Sequence, residues 1–142
     1  MGYLIDTNVL SEMRKGKRGH PRLIAWSTHV PRREMFLSVM VLGEVRCGIE
    51  SVRGRDPAQA AALEEWLGRT NQTFADTILP VTREIADRWG RLSATGPLGE
   101  VDGLLAATAL VHGHIVVTRN IRDFTRTGVA LLNPFEDPSS KT

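Results

Sequence analysis

Short apolar runs alternate with stretches of helical periodicity along almost the whole chain. Tyr3-Leu4-Ile5, closed by Asp6, predicts a buried strand, and Thr7-Asn8 predicts the cap of a helix running to about Met13. Beyond a basic loop bounded by Gly16 and Gly19, Pro21 suits the first turn of a helix to Val30, with Leu23, Ile24 and Trp26 on its apolar side. Residues 35–39 predict a second strand and residues 41–52 a helix. Asp56-Pro57 opens the next helix, in which Leu63, Trp66, Leu67, Thr70 and Phe74 recur at helical spacing. Residues 78–81 predict a strand, and Thr82 caps a helix with the stripe Ile85, Ala86, Trp89 and Leu92. A turn over 95–99 leads to a helix of small residues at 100–112, then to strands at 115–118 and 130–132. The polar, proline-bearing stretch 134–142 is expected to fray.

This alternation predicts an α/β sandwich with a central, mainly parallel sheet flanked by helices. The chain of 142 residues suits one domain, placed at 1–135, with a flexible tail at 136–142. In such sheets, sites form outside the carboxyl ends of the strands. Asp6 falls at one such end and Thr118-Arg119-Asn120 at another.

Acidic residues then stand out by their surroundings. Asp6 closes an apolar run, Glu44 interrupts the face of Val41, Val45, Ile49 and Val52, and Asp102 heads the run 104–110. Asn120 and Asp123 follow the apolar run 115–117. Carboxylates are seldom buried without a partner, because losing hydration is expensive. No matching set of buried cations accompanies these, so their convergence would be neutralised most simply by a divalent cation. Each residue also has a plain structural reading. Asp6 serves equally as a helix cap, Glu44 as a residue at the margin of its stripe, and Asp102 as an acid favoured by the helix dipole. Asn120 suits a turn, and Asp123 suits the cap of the short segment at Phe124.

Composition narrows the classes. Net charge is +2, with 42% hydrophobic and 24% charged residues, as in ordinary soluble domains. The apolar runs are too short to span a membrane and no signal-peptide pattern opens the chain, so a cytoplasmic protein is expected. A single cysteine, Cys47, excludes an internal disulfide and is read as a packed thiol. Basic residues cluster at 14–18, 32–33, 53–55 and at Arg119, Arg122 and Arg126; the last group surrounds an acidic position and is the best candidate for phosphate contact. Walker-type loops, dinucleotide fingerprints and His-Glu-x-x-His are absent, and Ser38 lacks a His/Asp pairing. His112 and His114 flank Gly113 and are read as surface residues of a turn.

Four segments together carry a resemblance: Leu-Ile-Asp6-Thr-Asn-Val-Leu at the start, Leu-Ser38-Val-Met-Val-Leu-Gly-Glu44, Asp102-Gly-Leu-Leu-Ala-Ala-Thr, and Thr118-Arg-Asn120-Ile-Arg-Asp123. In order and spacing they resemble the motifs of PIN-domain ribonucleases, most of all the VapC-type toxins of bacterial toxin–antitoxin pairs and their FitB-like relatives. The resemblance implies a PIN-like α/β/α sandwich and a metal-dependent endoribonuclease using Mg²⁺ or Mn²⁺ and metal-activated water. By position, Asp6, Glu44 and Asp102 match the metal-binding acids, and Asn120 stands where many members carry a fourth Asp, with Asp123 able to supply charge nearby. That departure bears on whether one or two ions bind. Thr7, Ser38 and Thr118 match polar positions that orient ligands, and Arg119 and Arg122 are candidates for RNA contact. The resemblance also implies a homodimer, an RNA substrate and a small VapB-like antitoxin that covers the acidic centre, with DNA reached only through the antitoxin. A PIN-fold nuclease of RNA processing and a catalytically inactive RNA-binding domain are the alternatives.

Overall fold

Five short strands, β1 (Tyr3–Ile5), β2 (Met35–Ser38), β3 (Ile78–Leu79), β4 (Ile115–Val117) and β5 (Leu131–Leu132), pair in parallel in the order β3-β2-β1-β4-β5. The computed structural model describes residues 2–137; the stretch 138–142 of the expected tail lies outside the described residues. Helices α1 (Thr7–Met13), α2 (Pro21–His29), α3 (Val39–Arg53), α4 (Pro57–Thr73), α5 (Arg83–Ser93), α6 (Glu100–His112) and α7 (Ile121–Phe124) make the connections. Strands covered on both faces read as continuous apolar runs. Accordingly Leu4, Ile5, Leu37, Val116 and Val117 are all fully buried. The sheet is wholly parallel, as the alternation of elements predicts.

Strand order fixes where a site can lie. The chain builds outward from β1 to β2 and β3 on one side, then crosses back to add β4 and β5 on the other. The reversal falls between β1 and β4, in register from Tyr3 opposite Ile115 to Ile5 opposite Val117. Beyond the carboxyl ends at such a switch point the connections part and leave a crevice. Asp6 and Thr118 are the first residues past those ends.

Local chemistry sets the helix starts. Asp56 accepts from the Gln59 N–H at 3.1 Å and Thr82 from the Ile85 N–H at 3.2 Å, as their sequence positions predict. Helix α3 begins earlier than periodicity suggested, because the buried Ser38 hydroxyl accepts from the Met40 N–H at 3.0 Å. Helix α1 is capped by Asp6, whose Oδ1 accepts from the Thr7 N–H at 2.7 Å, and not by Thr7 or Asn8. Strand β3 stops at Leu79, since Pro80 has no N–H for a ladder. Asp123 lies within α7 and does not cap it; Asn120 holds the capping position without a side-chain bond.

Other expectations are corrected by packing. Cys47 is exposed, because the face of α3 turned inward is Val41, Val45 and Ile49. His114 is half-buried and stacks on Phe36 at 4.3 Å, while its Nδ1 accepts from the Gly2 N–H at 3.2 Å. Fraying does not begin at Pro134. Pro134 and Phe135 are buried, and the Phe135 ring lies edge-on to His20 at 5.2 Å.

Helix α6 owes its position to small residues. Gly103, Ala106, Ala107 and Ala109 are buried, which lets α5 approach closely. A Cβ on Gly103 would lie 2.9 Å from Trp89 Cδ1 and 3.0 Å from Leu98 Cδ2. Gly103→Ala therefore forces a rigid ring to move, and this outweighs the gain in helix propensity of about 1 kcal/mol. We expect net destabilisation of about 1–2 kcal/mol, measured by urea unfolding; a variant more stable than the parent rejects the close approach.

Candidate active site

The centre of the crevice is Asp6, only 5% exposed. Its backbone N–H continues the ladder to the Val117 carbonyl at 2.9 Å, so strand pairing itself places the carboxylate. Three donors hold its oxygens: the Thr7 N–H at 2.7 Å on Oδ1, and Thr118 Oγ1 at 2.7 Å and Asn8 Nδ2 at 3.2 Å on Oδ2. Burial pushes the Asp6 carboxyl above the ordinary range, opposed by those three bonds and reinforced by the charge of Asp123. Asn8 also extends the network outward, accepting from the Arg119 N–H at 3.1 Å.

Glu44 reaches the same edge from α3. It is exposed and does not interrupt a buried face; its Oε1 accepts from the Thr7 hydroxyl, the residue next to Asp6. The even spacing of Val41, Val45 and Ile49 carries the core without position 44. Asp102, half-buried in the first turn of α6, has its pKa raised to about 6, by burial first and then by the charges of Asp6, Asp123 and Glu44. Asp102 thus stands within electrostatic reach of the other three carboxylates. Among the described residues none of the four forms an ion pair.

The surroundings are open and polar. Asp102 and Asp123 line a cavity of about 480 Å³, floored by Pro97, Leu98 and Gly99 and bordered by Arg122 and Arg126. A neighbouring cavity of about 520 Å³ takes in Arg119, Asn120, Arg122 and Asp123. Asn120 is exposed, and its backbone N–H donates to Thr118 Oγ1 at 3.0 Å. Arg119 sits over the Phe135 ring at 3.7 Å. The Arg122 side chain makes no hydrogen bond or ion pair among the described residues. Arg126 is not a free rim charge, because its guanidinium is taken up by carbonyls of the turn before α6.

The structure brings Asp6, Glu44, Asp102, Asn120 and Asp123 to one edge, with Thr7 and Thr118 bonded to acids. Ser38 is spent on capping α3. Sequence reasoning missed Asn8, which it treated as a cap; its place two residues after the strand-end Asp was the available sign. It also missed Phe135, whose apolar bulk in a polar tail was the sign.

A donor set of carboxylate oxygens suits a hard divalent cation, and Asp102 in particular lacks a compensating charge. Among the described residues, however, no three acidic, His or Cys side chains are already gathered at coordinating separation. The chemistry of the donors fits such an ion; their spacing is not that of a closed cage.

The PIN domain profile matches residues 3–130 of the chain. VapC ribonuclease Y4jK of Sinorhizobium fredii is 30% identical over 140 residues, spanning 94% of this chain and 97% of its own length. Toxin FitB of Neisseria gonorrhoeae is 29% identical over 140 residues, spanning 94% of this chain and 99% of its own. The crystal structure of FitAcB from Neisseria gonorrhoeae superposes with a TM-score of 0.84 at 28% identity, over 95% of this chain and 99% of that one.

The raised pKa of Asp102 fixes a sign. The folded protein keeps this proton to higher pH than the unfolded chain, so the group costs no stability below about pH 4 and destabilises as pH rises through about 6. Asp102→Asn should therefore be more stable than the parent at about pH 7.5, by about 1 kcal/mol after discounting for solvent screening. The difference should shrink toward about pH 5, as followed by urea unfolding. A variant less stable at the higher pH refutes the crowding of acids.

Proposed function

The chain belongs to the PIN-domain family, and from that premise we propose that it is a metal-dependent endoribonuclease, the toxin of a type II toxin–antitoxin pair. The observation that carries this reading is the convergence of Asp6, Glu44, Asp102 and Asp123 near the switch point, with no ion pair to any of them among the described residues. Likeness to a protein named VapC ribonuclease and to Toxin FitB supports both the RNA substrate and the toxin role. A small VapB-like antitoxin that covers the acidic edge is the expected partner, and the working form is a homodimer.

Asp6, Glu44 and Asp102 are the residues that would hold Mg²⁺ or Mn²⁺. When bound, the cation lowers the pKa of water and screens the negative charge of the phosphodiester. The chain's own work is placement. Thr118, Asn8 and the Thr7 N–H fix both oxygens of Asp6, leaving it no freedom to turn away from the crevice. The Thr7 hydroxyl steadies Glu44 on the opposite side. Arg119, seated on Phe135, and Arg122, whose side chain forms no ion pair among the described residues, present cations to the strand beyond the acids, where an anionic polymer must overcome their repulsion. Hydrolysis needs no protein nucleophile here: water adds to phosphorus as the bond from phosphorus to the 3′ oxygen breaks, and the proton the water gives up is balanced by the one that oxygen gains in becoming a 3′ hydroxyl. Asn120 in place of a fourth acid lends some support to a non-catalytic RNA-binding domain, but the uncompensated charge around Asp102 has no use in such a protein.

The test is cleavage of total RNA by the purified, antitoxin-free protein with Mn²⁺ or Mg²⁺, with EDTA, and with Asp6→Asn. We expect discrete fragments that vanish with EDTA and fall at least ~100-fold in Asp6→Asn, the scale typical for losing a preorganised electrostatic group. Cleavage that survives either change rejects the assigned centre.

A further inference from the structure

Asp102 and Asp123 line the same cavity from two separate pieces of chain. One is the turn between α5 and α6, where Pro97, Leu98 and Gly99 lead directly into the first turn of α6. The other is α7 with the 3-10 turn behind it, Thr125–Thr127. A single side chain ties them together. Arg126 donates from Nε to the Pro97 carbonyl at 3.2 Å, from Nη1 to the Leu92 carbonyl at 3.3 Å and Thr95 Oγ1 at 2.6 Å, and from Nη2 to the Gly96 and Pro97 carbonyls at 2.6 and 2.9 Å.

A guanidinium has five N–H donors in a fixed fork, and here five bonds use all of them. None is left for phosphate. The turn is shaped to receive it: Gly96 has φ of 152°, in the region glycine favours, and a Cβ there would lie 3.7 Å from the guanidinium carbon. The grip is also close to the acid. A Cβ on Gly99 would come within 3.4 Å of Asp102 Oδ2, so any shift of the turn is felt at that carboxylate.

We infer that Arg126 is a positioning residue, which sets the separation of Asp102 and Asp123 by clamping the α5–α6 turn against the end of α7. The role rests on the reading of the acidic crevice as a metal-dependent nuclease centre. It separates Arg126 from Arg119 and Arg122, which share its sequence cluster but keep their charge available.

The experiment compares the full chain with Arg126→Ala and Arg126→Lys by hydrogen exchange, Mn²⁺ binding and RNA cleavage. Both variants should exchange faster over residues 94–99 alone, bind Mn²⁺ about 10-fold more weakly, and lose kcat with KM little changed, as when a group supporting a metal ligand is removed. Lysine should not rescue, since one ammonium with three donors cannot span the four acceptors that take these five bonds. Full rescue by lysine, or a rise in KM with Mn²⁺ affinity intact, marks Arg126 as a phosphate contact and overturns the clamp. If Arg126→Ala does not fold, Thr95→Val removes one of the five bonds and should shift exchange and Mn²⁺ affinity in the same direction; no shift overturns the proposal. A parent that neither binds Mn²⁺ nor cuts RNA rejects the nuclease reading and the positioning role with it. A parent that does both, beside an indistinguishable Arg126→Ala, rejects the clamp alone.

Discussion

The parallel pairing of β1 with β4 carries its ladder one residue past Ile5, so that the Asp6 N–H binds the Val117 carbonyl at 2.9 Å. That bond pins the backbone of the acid to the end of the neighbouring strand. The next residue of that strand, Thr118, returns its hydroxyl to the same carboxylate at 2.7 Å. Two segments more than a hundred residues apart in sequence are thereby locked at the switch point of the sheet. Helix α1 starts from the same carboxylate, and Asn8 passes the constraint to Arg119. Strand pairing, helix capping and rim placement therefore share one side chain.

Such a centre works against the stability of the fold that makes it. Burial raises the pKa of Asp6 even with three donors on it, and Asp102 feels burial and three other acids. Groups held in this way destabilise the folded chain at neutral pH, and structures retain them where the strain has a use. The surrounding framework offsets the cost. Fully buried strands lie below the acids, and the small-residue face of α6 packs tightly on α5. Trp89 is set so close to that face that its buried Nε1 has no hydrogen-bond partner, one sign that tight packing was favoured over polar satisfaction.

The fold was legible in the chain wherever local pattern and local chemistry agreed. Continuous apolar runs marked the strands, and Asp56 and Thr82 marked helix starts that the structure keeps. The acidic edge was legible too, because strand ends are where parallel sheets place their sites. What sequence could not supply was pairing at a distance. Asp6 looked dispensable as a cap beside Asn8, yet Asn8 is drawn to Asp6, Thr118 and the Arg119 N–H. For Glu44 the sequence left open whether it interrupts the apolar stripe or lies at its margin, and the structure takes the second, with Val41, Val45 and Ile49 turned inward and Glu44 exposed. Phe135 looked like part of a frayed tail until His20 and Arg119 gave it a place to pack.

The three arginines at 119, 122 and 126 make the same point in electrostatic terms. In sequence they form one basic cluster beside an acidic position, and cluster charge alone would assign them one role. In the structure each meets a different environment. Arg119 lies flat on an aromatic ring, fixed in direction yet still exposed. Arg122 borders both cavities, its side chain without a partner among the described residues. Arg126, though exposed, spends its donors on carbonyls and the Thr95 hydroxyl, holding a turn. Formal charge attracts phosphate at a distance, but a direct contact also needs N–H donors that are not already taken. All three charges contribute to the field at this crevice, but direct donation to an anionic strand falls to Arg119 and Arg122, while Arg126 acts on the acids through the backbone it holds.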